Sequence, residues 1–278
     1  MPLFHVLILA LVQGLTEFLP ISSTAHLFLF PWLLGWEDPG IPFTVAVHAG
    51  TLVAVLLYFL RTWLELLLCG IGLHYPAGAP IEQVRTSRRL FWYIVAGTVP
   101  AGLAGLFGEK YIETTFRSPT LMGAMLILVG LIMGWAENRF SHSRQIGSIS
   151  FKDAMVVGTA QAIALVPGVS RSGSTIIAGL WRGLTREAAA RFTFLLSTPI
   201  IAGAALKTIL ELRHTAPSNT QIEALAFGFL VSAVSGYLVI AFFLRYLQTR
   251  TLQIFIYYRI LFGIVILLLA FLQMGHAR

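Results

Sequence analysis

The sequence predicts an all-α integral membrane protein, an inverted repeat of two halves, each a re-entrant helical hairpin followed by three transmembrane helices. Three observations predict it. First, 57% of the 278 residues are hydrophobic and only 11% charged, against roughly 25% charged in soluble domains, and the mean hydropathy of +0.81 leaves no polar block for a separate soluble module. Second, six apolar runs are long enough to cross a bilayer, which takes about 20 helical residues. Third, two further apolar regions are interrupted in the middle by clusters of Pro, Gly, Ser and Thr.

The spanning runs lie near 43–60, 90–107, 120–136, 192–208, 223–245 and 257–275. The interrupted regions are 3–34, broken at Pro20-Ile21-Ser22-Ser23-Thr24, and 153–182, broken from Pro167 to Thr175. The arm from Asp153 to Val166 is 14 residues, about 21 Å of helix and too short to cross, so both regions read as re-entrant. The first apolar run lacks the basic segment and small-residue cleavage site of a signal peptide and is expected to stay as structure. Loop 61–89 reads as a connection on the cytoplasmic side that touches anionic head groups. Gly123, Gly130 and Gly134 read as close helix contacts, and the Phe and Leu stripe of 223–272 as lipid-facing or packing surface.

The two breaks resemble each other. At an offset of 148 residues Gln13 falls on Gln161, Ile21 on Val169 and Ser22 on Ser170, and one residue further on Phe43-Thr44 falls on Phe192-Thr193. Three crossings per half make the second half upside down relative to the first, as in membrane proteins that hold a site at the bilayer midplane. One polytopic domain over 1–278 follows, with pseudo-repeats 1–145 and 146–278.

Thirteen basic residues fall on one side of this layout: Arg61, Arg85, Arg88, Arg89, Arg139, Arg144, Lys152, Arg182, Arg186, Arg191, Arg245, Arg250 and Arg259. Five fall on the other: Lys110, Arg117, Lys207, Arg213 and Arg278. The richer side is expected to be cytoplasmic and both termini outside. The net charge of +7 is thus accounted for by loops, which argues against nucleic acid as a partner. The single cysteine, Cys69, excludes an intramolecular disulfide and any cysteine-built metal site.

The nineteenth basic residue, Arg171, falls at the second break. Irregular backbone at membrane depth persists only inside protein or beside a wet cavity, and a central arginine costs about 2.5–3.5 kcal/mol even on the mildest scale. Ser170, Ser172, Ser174 and Thr175 surround it with hydroxyls, Gly168 and Gly173 allow close backbone approach, and a helix starting at the tip favours anions. The pattern suits a phosphate; the plainer reading is a capped half-helix with Arg171 paired to an internal carboxylate. In the first hairpin Gln13 and Glu17 share a helical face, and Ser23 and His26 follow directly. Glu17 fits either an ion pair with Arg171 or, with Ser23 and His26, a metal ligand or base, a hydroxyl, and an acid, base or nucleophile in one small volume. His5, His48, His74, His142, His214 and His276 are given no role.

Gln13-Gly14-Leu15-Thr16-Glu17 followed by Pro20-Ile21-Ser22-Ser23-Thr24-Ala25-His26 resembles the first motif of the undecaprenyl-pyrophosphate phosphatase family of the bacitracin-resistance type. Pro167-Gly168-Val169-Ser170-Arg171-Ser172-Gly173-Ser174-Thr175 resembles its second. The resemblance implies hydrolysis of undecaprenyl pyrophosphate to undecaprenyl phosphate, which recycles the lipid carrier of cell-wall glycans, in a bacterial inner membrane. It implies catalytic roles for Glu17, Ser23, His26 and Arg171, phosphate binding by Ser170, Arg171 and Thr175, to which the flanking hydroxyls add Ser172 and Ser174, and a divalent cation, Mg²⁺ or Ca²⁺, at Glu17 and Gln13. Gln13 departs from the Glu of many members, so Glu17, substrate oxygens and water carry more of that cation. The expected partners are the polyprenyl pyrophosphate, membrane lipids and a second copy of the chain as a homodimer. His26, Ser23 and water remain open as nucleophile. The first hairpin enters from outside, so the site is expected to open to the periplasmic or extracellular face. A transporter or flippase of a phosphate-headed lipid or small anion is the alternative, distinguished by the absence of hydrolysis.

Overall fold

The structure, a computed structural model, describes residues 1–115, 118–212 and 219–276. Arg117, Arg213, His214 and Arg278, named above, lie outside the described residues, as do the side chains of Lys110 and His276. Among the described residues there are eleven α-helices, and the only β-pairing is one bridge between Arg144 and Leu184. They are α1 (Leu3–Phe18), α2 (Ser23–Leu34), α3 (Gly40–Tyr58), α4 (Leu60–Gly70), α5 (Ile81–Thr115), α6 (Pro119–Arg139), α7 (Phe151–Ile163), α8 (Arg171–Trp181), α9 (Arg186–Leu212), α10 (Asn219–Leu247) and α11 (Gln253–His276).

Six of them, α3, α5, α6, α9, α10 and α11, are long and apolar enough to cross a membrane. Two departures from the sequence reading concern the connection at 61–89. Its first part folds as α4, whose polar and apolar residues segregate to different sides. Its last part belongs to α5, which starts at Ile81 rather than near 90 and carries Arg85, Arg88 and Arg89 as helical residues.

Small residues let the helices approach closely, as lipid-embedded packing requires. A Cβ built on Gly158 of α7 would lie 2.1 Å from the carbonyl oxygen of Gly97 on α5, and one on Gly50 of α3 would lie 2.3 Å from the Phe229 carbonyl oxygen on α10. Gly123 and Gly130 bring α6 against α11 in the same way, while Gly134 makes ordinary contact with Ile256. Phe194 of α9 links the halves through a ring contact with Phe18 at 5.3 Å, and within its own half it meets Phe243 at 6.2 Å.

The hairpins α1–α2 and α7–α8 turn at Ser22 and Ser170, whose φ values of 75° and 74° lie in the left-handed region. Such backbone costs on the order of 1–3 kcal/mol in a residue other than glycine and persists only where neighbours hold it. Here Arg259 holds both turns. The sequence reading counted it among the cytoplasmic loop residues; it is instead fully buried on α11. Its Nη1 donates to the Pro20 carbonyl at 3.1 Å, and its Nη2 to those of Gly168 and Val169 at 3.1 and 3.2 Å. Ser172 adds a second tie, donating from Oγ to the Leu19 carbonyl at 2.8 Å. A guanidinium satisfies several carbonyls that the breaks in the helices leave without intrahelical partners.

At the opposite end of the second hairpin, Asp153 is buried where α7 begins and closes a capping box with Ser150. It accepts from Arg144 Nη2 at 2.7 Å and Arg182 Nε at 2.6 Å, so it joins the start of α7 to the end of α8. Burial alone would raise the Asp153 carboxyl, but Arg144, Ser150 and Arg182 together hold it well below the usual carboxylate range. A depressed folded-state pKa means stability that is complete above the unfolded value of about 3.9 and lost as pH falls below it. We expect the purified Asp153→Asn variant to melt lower than the parent at pH 7 and the two to converge below pH 4; equal melting at pH 7 would exclude the clamp.

Candidate functional site

Two short helices meet where their starts face the same interior space. Glu17 stands near the end of α1 with its side chain 2% exposed. One of its oxygens, Oε1, accepts from Arg171 Nη2 at the start of α8. The other, Oε2, accepts from Ser23 Oγ at 2.6 Å and from Gln13 Nε2 at 3.0 Å. The structure therefore brings Gln13, Glu17, Ser23 and Arg171 together. The short Ser23–Glu17 bond is of charge-assisted length and points the serine proton at a carboxylate. Arg171 keeps 22% of its side chain exposed, so it is paired without being used up.

Glu17, Ser23 and Arg171 form the floor of a cavity of about 800 Å³, with Gln13 fully buried behind Glu17. Ser22, Ser170 and Ser172 line the floor as well, and Leu27, Phe28, Val45, Ile200 and Ile201 form apolar walls. The cavity extends to Asp38 and Gly40, where α2 leads into α3, and to Lys207, where the spanning part of α9 ends. That is the end of the helices opposite to Arg144, Asp153, Arg182 and Arg186. No side chain caps the first turn of α2, so backbone N–H groups beside Ser23 remain available to an anion. At α8 the Ser170 hydroxyl accepts from Gly173 N at 3.1 Å and fills that role.

Three of the sequence-named residues are placed elsewhere. Ser174 Oγ donates to the Ala160 carbonyl at 3.1 Å, and Thr175 Oγ1 donates to the Arg171 carbonyl at 2.6 Å. Both face helix packing rather than the cavity, because a serine or threonine inside a helix readily bonds back to the preceding turn. His26 also turns away. Its Nδ1 donates to the Ser22 carbonyl at 2.7 Å, which fixes the neutral tautomer, and Nε2 accepts from the Tyr258 hydroxyl at 2.7 Å. The ring stacks on Phe262 at 4.9 Å, so neither nitrogen is aimed at Glu17 or Ser23. His48, given no role from the sequence, does line the cavity, with Nε2 3.7 Å from Glu17 Oε2. Nothing in its local sequence marks it, since only the packing of α3 beside α1 sets it there.

The model of the bacitracin resistance protein BacA family matches residues 6–265. The chain belongs to that family. It is 45% identical over 273 residues to the undecaprenyl-diphosphatase of Moorella thermoacetica, covering 98% of this chain and 100% of that one. It is 46% identical over 276 residues to the undecaprenyl-diphosphatase of Geotalea daltonii, with 99% and 100% covered. The corresponding values for Geobacter metallireducens are 46% over 271 residues, with 97% and 98% covered. With its six spanning helices this BacA-family chain is a multi-pass membrane protein. The family resemblance read from the two motifs agrees with these comparisons, which run nearly end to end.

Proposed function

We propose that this chain hydrolyses undecaprenyl pyrophosphate to undecaprenyl phosphate and inorganic phosphate, and so supports bacitracin resistance and carrier recycling. The observation that carries the mechanism is the Ser23 hydroxyl donating to a buried Glu17 whose other oxygen is held by Arg171, at the floor of an apolar-walled cavity. A charged head and a greasy tail call for such a floor and such walls.

Catalysis then runs as two displacements. The Arg171 fork and the uncapped α2 N–H groups bind the diphosphate and stabilise the charge that spreads over the transferring phosphoryl group. Glu17 takes the proton as Ser23 Oγ attacks the distal phosphorus, and undecaprenyl phosphate leaves. Glu17 passes that proton to the departing undecaprenyl phosphate; water, giving a proton to the freed carboxylate, then attacks the phosphoserine, and the proton returns to Ser23 Oγ as inorganic phosphate leaves. His26, with both ring nitrogens engaged, orients the start of α2 rather than acting as nucleophile.

A divalent cation fits the same floor. Glu17 offers it a carboxylate, and Gln13 just behind, bonded to Glu17 through Nε2, keeps a buried Oε1 without a hydrogen-bond partner among the described residues; hard oxygen donors supplemented by substrate phosphate suit Mg²⁺ or Ca²⁺. When bound it would add charge neutralisation at the diphosphate. Release of inorganic phosphate from a polyprenyl pyrophosphate by the purified protein, with and without chelator, tests the reading; binding and exchange without release would favour a carrier. Gln13→Glu is expected to keep turnover at saturating Mg²⁺ and to lower the Mg²⁺ needed for half-maximal rate. A total loss there would mean that the Gln13 amide donor is indispensable.

The inverted repeat has support in the helix packing. Exchanging the halves maps the packing of α1 on α10 onto that of α7 on α5, and of α3 on α10 onto that of α9 on α5. The pseudo-repeats 1–145 and 146–278 form one domain on this reading, and the cavity opens to the outer face of the inner membrane. A cysteine at Thr24, which is exposed and lines the cavity, should react with an impermeant thiol reagent from outside in a Cys69→Ala background. Reaction only from the cytoplasmic side would reverse the orientation.

A further inference from the structure

The amide of Gln161 is an anomaly in the second hairpin. Gln161 is 2% exposed on α7, and neither its Nε2 nor its Oε1 has a hydrogen-bond partner among the described residues. Buried polar side chains are seldom left so, because each lost partner costs the desolvation of that group. The first hairpin shows what a glutamine here ordinarily does. Gln13, its counterpart at an offset of 148, donates from Nε2 to Glu17 Oε2 one turn ahead at 3.0 Å. One turn after Gln161 the chain has Leu165, which accepts nothing, so the amide has no acceptor along its own helix. It faces the cavity instead, among residues that include Arg171, Ser170 and Ser172.

We propose that Gln161 is a substrate-binding residue whose Nε2 donates to a non-bridging oxygen of the lipid diphosphate. The inference rests on the diphosphatase reading and deepens it. Arg171 supplies the charge that attracts the diphosphate; Gln161 supplies a neutral, directional donor from the opposite hairpin arm, already desolvated before the substrate arrives. An orphaned donor preorganised in this way stabilises the bound state at the expense of the empty one. It also serves the resting lipid and the transition state alike, so its loss should appear mainly in KM.

Gln161→Met, close in shape and without the amide, separates this role from a packing role. The full-length protein in detergent should keep or exceed the parent's melting temperature, since an unsatisfied buried amide is removed. KM for undecaprenyl pyrophosphate should rise about tenfold with kcat within about threefold, the scale of one hydrogen bond to a charged acceptor. Thermal stabilisation by methylenediphosphonate, a non-hydrolysable probe, should shrink in parallel. Gln161→Leu, tested alongside, should behave the same. An unchanged KM with an unchanged methylenediphosphonate shift would overturn the assignment, and so would a melting temperature several degrees below the parent in both variants, which would make the residue a packing element. Absence of phosphate release from the parent protein would instead strike the diphosphatase reading itself.

Discussion

Replacement of Ser23 by alanine is expected to reduce phosphate release from undecaprenyl pyrophosphate by at least about a thousandfold, the scale on which removal of a covalent nucleophile is felt. The serine is small and half-buried, and among the described residues its hydroxyl bonds only to Glu17, so the variant should fold and be extracted like the parent. The discrimination against the histidine is built into the geometry. Both nitrogens of His26 are hydrogen-bonded away from Glu17, and a His26→Gln variant should lose far less turnover than Ser23→Ala in the same assay. Near-parental release from Ser23→Ala would remove Ser23 from the reaction and return attack to water or to the imidazole.

Arg171→Ala should lower turnover by about 10³- to 10⁵-fold, as loss of an arginine that stabilises a transferring phosphoryl group does elsewhere. Removing the side chain also leaves Glu17 as a buried carboxylate without its cation, and breaking a buried ion pair costs several kcal/mol. Arg171→Lys separates the two effects. The ammonium preserves a positive charge for Glu17 and hence much of the stability, but lacks the planar fork that can hold a carboxylate and a phosphate at once. We expect a folded Arg171→Lys protein with turnover down by at least about a hundredfold; parental turnover would show that a point charge is enough.

The parts of the fold that depend on local composition were legible in the sequence. Six apolar runs mark the spanning helices, and Pro20 and Pro167-Gly168 mark the two turns because a helix cannot pass through them unbroken. The α4 helix was missed because its eleven residues, with Arg61 and Glu65, are too few to span, although Trp63, Leu66 and Cys69 recur at helical spacing and form the side buried in the fold. Arg259 was misassigned for a related reason. An arginine soon after the start of an apolar helix reads as an interfacial anchor, and only the folded chain shows that the carbonyls of Pro20, Gly168 and Val169 converge on it. In the site, the joining of Glu17 to Arg171 was one of two readings the sequence left open, because a deep arginine needs an anion and Glu17 is the one carboxylate in its hairpin before Glu37. The directions of Ser174, Thr175 and His26 were not, because each is decided by a bond to a backbone carbonyl in the preceding turn or hairpin arm that sequence spacing does not reveal. The reach of His48 to Glu17 depends on how α3 packs beside α1, which is likewise a property of the whole fold.

The stereochemical course at the distal phosphorus tests the central claim most directly. Undecaprenyl pyrophosphate carrying a terminal thiophosphoryl group made chiral with two oxygen isotopes, hydrolysed by the purified protein in water of the third isotope, yields chiral thiophosphate whose configuration records the number of in-line displacements. Transfer to Ser23 followed by hydrolysis is two displacements, so the account predicts retention of configuration. Inversion would mean a single attack by water and would contradict the Ser23 intermediate.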